Sequence, residues 1–262
     1  MNDILSKTEI LHNLNMPQKF NIEIFDSIDS TNVYLKELAK KGEKSGTVII
    51  ADSQTCGHGR FDRKFHSPKN CGIYMSVLLK PDLAAEQSVL ITAATAVAVC
   101  DAILALTDQT PQIKWVNDIL LNGKKVCGIL TEGAINHETL KFDWAVIGIG
   151  INVYEPDNSF DNEIKNIATS VLKEKQENFR NKLCAEIINR LTFFCENLEN
   201  KDFFLAYKEY SAVINKKINV IKNNSIISSA TALDIDDNCR LKVQYDDGST
   251  EFLNSGEISI KL

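Results

Sequence analysis

The chain has 262 residues, of which 44% are hydrophobic and 24% charged, and its formal net charge is −6. That length holds one large domain and a small one, with a composition typical of a globular protein that buries a core. The acidic balance argues against a nucleic-acid-binding stripe and against a surface that grips anionic lipid.

Residues 1–19 are polar and weakly patterned, which predicts a loose arm or an added helix. FNIEIFDSI at 20–28 alternates like a strand, and Asp29 and Ser30 are N-cap candidates for a helix over TNVYLKELAKK that stops at Gly42. TVIIAD at 47–52 reads as a second strand. SQTCGHGRFDRKFHSPKN at 53–70 then reads as a long basic loop, and long structureless loops inside compact domains are usually functional. Glycines at 57 and 59 beside Arg60 and Arg63 suit a loop that wraps a phosphate, while a solvated surface loop fits the same spacing. GIYMSVLLKP at 72–81 is a further strand. QSVLITAATAVAVCDAILAL at 87–106 reads as a buried helix and not a membrane span, because Gln87, Ser88, Thr92, Thr95 and Asp101 interrupt it.

Two strand-like runs, IKWVNDILL and KVCGILTEG, flank Asn122-Gly123, the dipeptide most typical of a two-residue hairpin turn. Lys114-Trp115 and Asn117-Asp118 break the alternation expected of a hairpin with one solvated face, so ligand-binding residues are sought there. In VIGIGIN, Gly148 and Gly150 lack side chains on one sheet face, which leaves room for a flat ligand or for close packing of another strand. The third glycine and the helix of a dinucleotide fingerprint are missing. Helices follow at roughly 178–198 and 201–212. From about 215, short alternating segments separated by Asn-Asn, Asp-Asp-Asn and Asp-Asp-Gly clusters predict a small all-β barrel, with a domain boundary near 214.

Other chemistries find little support. Cys56, His58, His66 and Cys71 offer two thiols and two imidazoles but no tight ligand pair for zinc. There is no GxSxG, and no cysteine has an evident activating context. Seven cysteines without a CxxC pair, behind an opening without a cleavable signal, predict reduced thiols and a cytoplasmic protein.

STN at 30–32, ADSQTCGHGRFDRKF at 51–65, KWVNDILLNGKKVCGILTE at 114–132, VIGIGINV at 146–153, ATSV at 168–171 and GEISIKL at 256–262 together resemble the biotin protein ligases, in the family's order and over nearly the whole chain from residue 22. The resemblance implies an α/β (α+β) fold: a catalytic domain over 20–214 with a mixed central sheet flanked by helices, related to class II aminoacyl-tRNA synthetases, and an SH3-like barrel over 215–262. It implies formation of biotinyl-5′-AMP from biotin and Mg²⁺-ATP, then transfer of biotin to a lysine of a carboxyl-carrier domain. Ser30, Thr31, Asn32 and Gln54 would meet the biotin head, and Gly128, Gly148 and Gly150 would leave space for the valeryl tail. Gly57, Gly59 and Arg60 would belong to the loop over the adenylate, with Lys125 and Arg60 as the catalytic cations. His58, Arg63, Trp115, Asn117, Asp118 and Asn152 would form the nucleotide side. The sequence departs from the family pattern at His58, Asp62, Phe65 and Val116, which predicts a looser adenylate loop. A lipoyl or octanoyl ligase shares the core fold but usually carries an RR-x-x-GGG-type segment, which is missing here. A DNA-binding repressor is disfavoured, since only 29 residues precede Ser30. Monomer and homodimer both remain compatible with the sequence.

Overall fold

The computed structural model describes residues 3–157, 159–222, 225–254 and 257–260. Its first sheet has seven strands in the order β1-β2-β3-β7-β6-β5-β4. These are β1 (Asn21–Phe25), β2 (Thr47–Ala51), β3 (Gly72–Leu79), β4 (Gln112–Lys114), β5 (Asp118–Leu121), β6 (Lys124–Ile135) and β7 (Phe142–Asn152). Only β1 and β2 pair in parallel, so the sheet is mixed, as expected. Five helices accompany it among the described residues: α1 (Lys7–His12), α2 (Thr31–Lys40), α3 (Ser88–Leu106), α4 (Phe179–Glu196) and α5 (Phe204–Glu209). A second, antiparallel sheet takes β8 (Lys217–Lys222), β9 (Ser225–Ile235), β10 (Leu241–Tyr245), β11 (Thr250–Leu253) and β12 (Glu257–Ile260) in the order β11-β10-β9-β8-β12. The GEISIKL segment lies only partly within the described residues.

Period-two alternation gives the first sheet two unlike faces. Ile147, Ile149 and Ile151 of β7 and Ile129 of β6 point into the large core that α3 and α4 cover. Apolar all round, α3 is buried along most of its length, which answers its membrane-like composition. On the other face α2 packs Leu35 and Ala39 against Ile49, Leu78 and Val146. Beyond the end of α2, the same face presents Ser76 of β3, Gly148 and Gly150 of β7, and Gly128 of β6. Register aligns them in two rows, Ser76-Gly148-Leu130 and Tyr74-Gly150-Gly128.

Several local expectations are realised and some are corrected. Ser30 caps α2, its hydroxyl accepting from the Val33 amide at 3.4 Å. Asn122 and Gly123 take φ of 50° and 77°, the left-handed backbone that a tight two-residue hairpin turn requires. IKWVNDILL is not one strand: the chain turns at 115–117, and β4 folds back on β5 with Lys114 opposite Asp118. The last helix is shorter than 201–212, ending at Glu209.

The amino-terminal arm is docked. Asp3 and Arg180 side chains are each 2% exposed and ion-paired, and Arg180 also donates to Asp52 at 2.6 Å. Asn181 and Asn189 of α4 bond the backbone on either side of α1, from Ile4 to Asn15. Before Ser30 the described residues hold one α-helix, six residues long.

Candidate active site

A cleft lies over the glycine rows. It brings together Ser30, Thr31, Asn32, Gln54, His58, Gly59, Arg60, Asn117, Lys125, Gly128, Gly148 and Gly150, twelve of the residues singled out from the sequence. Gly57, Arg63, Trp115, Asp118 and Asn152 do not line it.

At one end the polar side chains that line the cleft include the hydroxyl of Thr31 and the amides of Asn32 and Gln54. Gln54 Oε1 accepts from the Thr31 amide at 2.9 Å and lies 3.2 Å from the Thr31 hydroxyl, while Gln54 Nε2 donates to Ser67 Oγ at 3.0 Å. Asn32 Nδ2 donates to Glu132 Oε2 at 3.0 Å. Ser76, fully buried, sits 2.6 Å from Asn32 Oδ1 and 2.8 Å from Thr31 Oγ1.

At the other end the groups are cationic. Lys125 Nζ bonds Asp118 Oδ1 at 2.6 Å, and Arg60 donates to Asn117 Oδ1 at 2.9 Å. Asn117 is itself fixed by the hydrogen bond its Nδ2 donates to the Ile129 carbonyl at 3.0 Å. Of the charges that break the alternation of 113–132, Asp118 stands opposite Lys114 in the β4–β5 register and pairs with Lys125. Cys127, between them on β6, points into the core, where burial pushes its thiol far above the ordinary range and leaves it no nucleophilic role.

The glycines serve close approach, though not all for the purpose read from the sequence. A Cβ on Gly148 would stand 2.3 Å from Asn32 Oδ1, so its missing side chain accommodates Asn32. A Cβ on Gly150 would stand 2.6 Å from the Phe65 ring, which lies over Gly150 and Gly128 and meets Tyr74 edge-on at 6.4 Å. The basic loop folds on itself: the Gly59 amide donates to the Arg63 carbonyl at 2.7 Å and the Phe65 amide to the Gly57 carbonyl at 2.9 Å. Those amides are committed inside the loop. Phe61 stands at its tip with φ 57°, and nothing is described of the Asp62 side chain.

Trp115 faces away from the cleft. It is 3% exposed, and its indole N–H donates to the Cys239 carbonyl of the second sheet at 2.9 Å. Asn152 bonds the Thr169 carbonyl at 3.2 Å and accepts at its backbone from the Val171 amide, tying the ATSV segment to the edge of the sheet. Ser67 and Ser76 were not found from the sequence. A serine inside an apolar strand gives no signal until the register sets it opposite a glycine.

Residues 24–152 match the biotin/lipoate A/B protein ligase family, and residues 213–261 match the biotin protein ligase C-terminal domain. The chain belongs to the biotin protein ligase family. Among curated relatives, the bifunctional ligase/repressor BirA of Bacillus spizizenii is 42% identical over 152 residues, covering 58% of this chain and 46% of the relative. This chain therefore spans about half the length of the curated relatives it matches at that identity. The biotin--[acetyl-CoA-carboxylase] ligase of Mycobacterium tuberculosis is 28% identical, covering 90% of this chain and 88% of the relative. A biotin protein ligase from Aquifex aeolicus, solved in complex with biotin and ATP, superposes with a TM-score of 0.73 at 26% identity, covering 92% of this chain and 98% of the other.

Proposed function

We propose that this protein is an ATP-dependent biotin ligase, which forms biotinyl-5′-AMP and transfers biotin to a lysine of a carboxyl-carrier domain. The observation that carries the reading is the polarity of the cleft. A neutral end built of Thr31, Asn32 and Gln54 suits a buried ureido ring, and a cationic end built of Arg60 and Lys125 suits a carboxylate meeting a phosphate.

In the first step a carboxylate oxygen attacks the α-phosphorus and pyrophosphate leaves. In the second the acceptor amine attacks the acyl carbon and AMP leaves. Both steps gather anionic charge, so positioning and charge neutralisation dominate catalysis. Lys125, oriented by Asp118, and Arg60, oriented by Asn117, supply fixed positive charge at that point. Among the described residues no group of three metal-ligating side chains occurs. That fits Mg²⁺ carried in on phosphate oxygens, with Asp118 as the carboxylate at hand. Bound there, Mg²⁺ would neutralise charge on the departing pyrophosphate. The free thiols support a reducing compartment, the cytoplasm.

Exchange of labelled pyrophosphate into ATP tests the activation step and the acyl group together. Biotin should drive it, with lipoate and octanoate at least about 100-fold less effective per unit concentration, since they lack the N–H pair and would leave the site's buried polar groups unpaired. Exchange driven equally by octanoate would point to a lipoyl-type ligase instead.

A further inference from the structure

The Asn32 amide is fixed from both ends. Its nitrogen lies 3.0 Å from Glu132 Oε2 and 3.4 Å from the Leu130 carbonyl, both acceptors, so its oxygen must be the atom turned to Ser76. Ser76 therefore donates, and a hydroxyl has one hydrogen to give. Committed to Asn32, Ser76 meets Thr31 Oγ1 at 2.8 Å as an acceptor, so the Thr31 hydroxyl donates to Ser76 and not to Gln54. The Gln54 amide is fixed likewise: its oxygen faces the Thr31 N–H, and its nitrogen faces Ser67 Oγ, whose hydrogen goes to the Phe65 carbonyl at 3.0 Å. Both lone pairs of Thr31 Oγ1 and one of Gln54 Oε1 are then left over at the cleft.

We propose that Glu132 and Ser76 are positioning residues that set the direction of this hydrogen-bond chain, so that Thr31 and Gln54 offer acceptors to a ligand with paired N–H donors. The inference rests on the biotin reading, whose ureido ring carries such a pair. Glu132 is the starting point because a carboxylate can only accept. Lys36 holds its other oxygen at 2.6 Å, with the two side chains 26% and 33% exposed. Without that anchor the Asn32 amide is free to invert, and with it the polarity of every hydroxyl downstream.

Ser76→Ala and Glu132→Gln, alone and together, test this in the full chain by calorimetric titration with biotin and separately with ATP. Each single variant should weaken biotin binding about tenfold, the double variant should be no worse than the weaker single one, and ATP affinity should be unchanged. Losses that add, an equal loss for ATP, or unchanged biotin affinity would each overturn the inference, since a merely structural role predicts the first two. Glu132→Gln, at a partly exposed side chain, carries the test if Ser76→Ala does not fold. A wild-type chain that binds ATP but not biotin would instead overturn the functional reading, and this inference with it.

Discussion

Lys125 stands between a carboxylate it already holds and the anions it is proposed to receive. Asp118 at 2.6 Å fixes the ammonium at the rim of the cleft, and Gly128 leaves its stem room, since a Cβ there would come within 3.0 Å of Nζ. Lys125→Ala should lower biotin-dependent pyrophosphate release roughly 100-fold, the scale of losing one preorganised charge-stabilising donor, and a rate near wild type would remove its assigned role. Lys125 and Arg60 were legible because charged side chains among apolar or glycine-rich neighbours are anomalies that ask for a reason, and Asn32 and Gln54 only because they match the motifs of the family. Trp115 was not. The resemblance put it with Asn117 on the nucleotide side, but the turn at 115–117 sends the indole to the β9–β10 turn and the amide to the cleft.

Strand register accounts for most of the site, and register is written in the sequence only as an alternation. VIGIGIN reads correctly as a strand with two bare positions on one face. Which neighbours stand beside them, Ser76 and Leu130 at Gly148, Tyr74 and Gly128 at Gly150, depends on pairings between strands far apart in the chain. The docking of the arm shows the same limit. Asp3 and Arg180 are 177 positions apart, and their pairing is invisible to local pattern. Tyr154 adds a hydroxyl bond to Asp3 at 2.6 Å, its phenol held neutral by burial. Asp3→Asn, which removes the charge but hardly the volume, should destabilise the fold by about 3 kcal/mol, because a buried guanidinium then loses one of its two carboxylates. Urea unfolding reads this directly. A midpoint unchanged from wild type would mean that Asp52 alone satisfies Arg180.

At the scale of the molecule, β4 is tied to the segment that leads from α5 towards the second sheet, and the turn after β4 to the β9–β10 turn, and together these contacts form a seam. The Ile113 amide donates to the Tyr210 carbonyl at 2.7 Å, the Ala212 amide to the Ile113 carbonyl at 2.8 Å, and Trp115 reaches Cys239. The change of texture near 214 was visible as short alternating segments with turn clusters, while the seam was not, because it uses backbone groups that every sequence supplies. The same β4–β5 segment thus carries Trp115 into the seam and Asn117 and Asp118 to the cleft, which links the second sheet to the site through a few residues of one turn. In the proposed reaction this cleft activates biotin and passes it to a protein lysine. Incubation of the purified chain with biotin, Mg²⁺-ATP and an isolated carboxyl-carrier domain, followed by intact mass measurement of the carrier, tests it most directly. The carrier should gain one biotinyl group on a single lysine only when biotin and ATP are both present. A carrier of unchanged mass, from a chain shown to be folded, would contradict it.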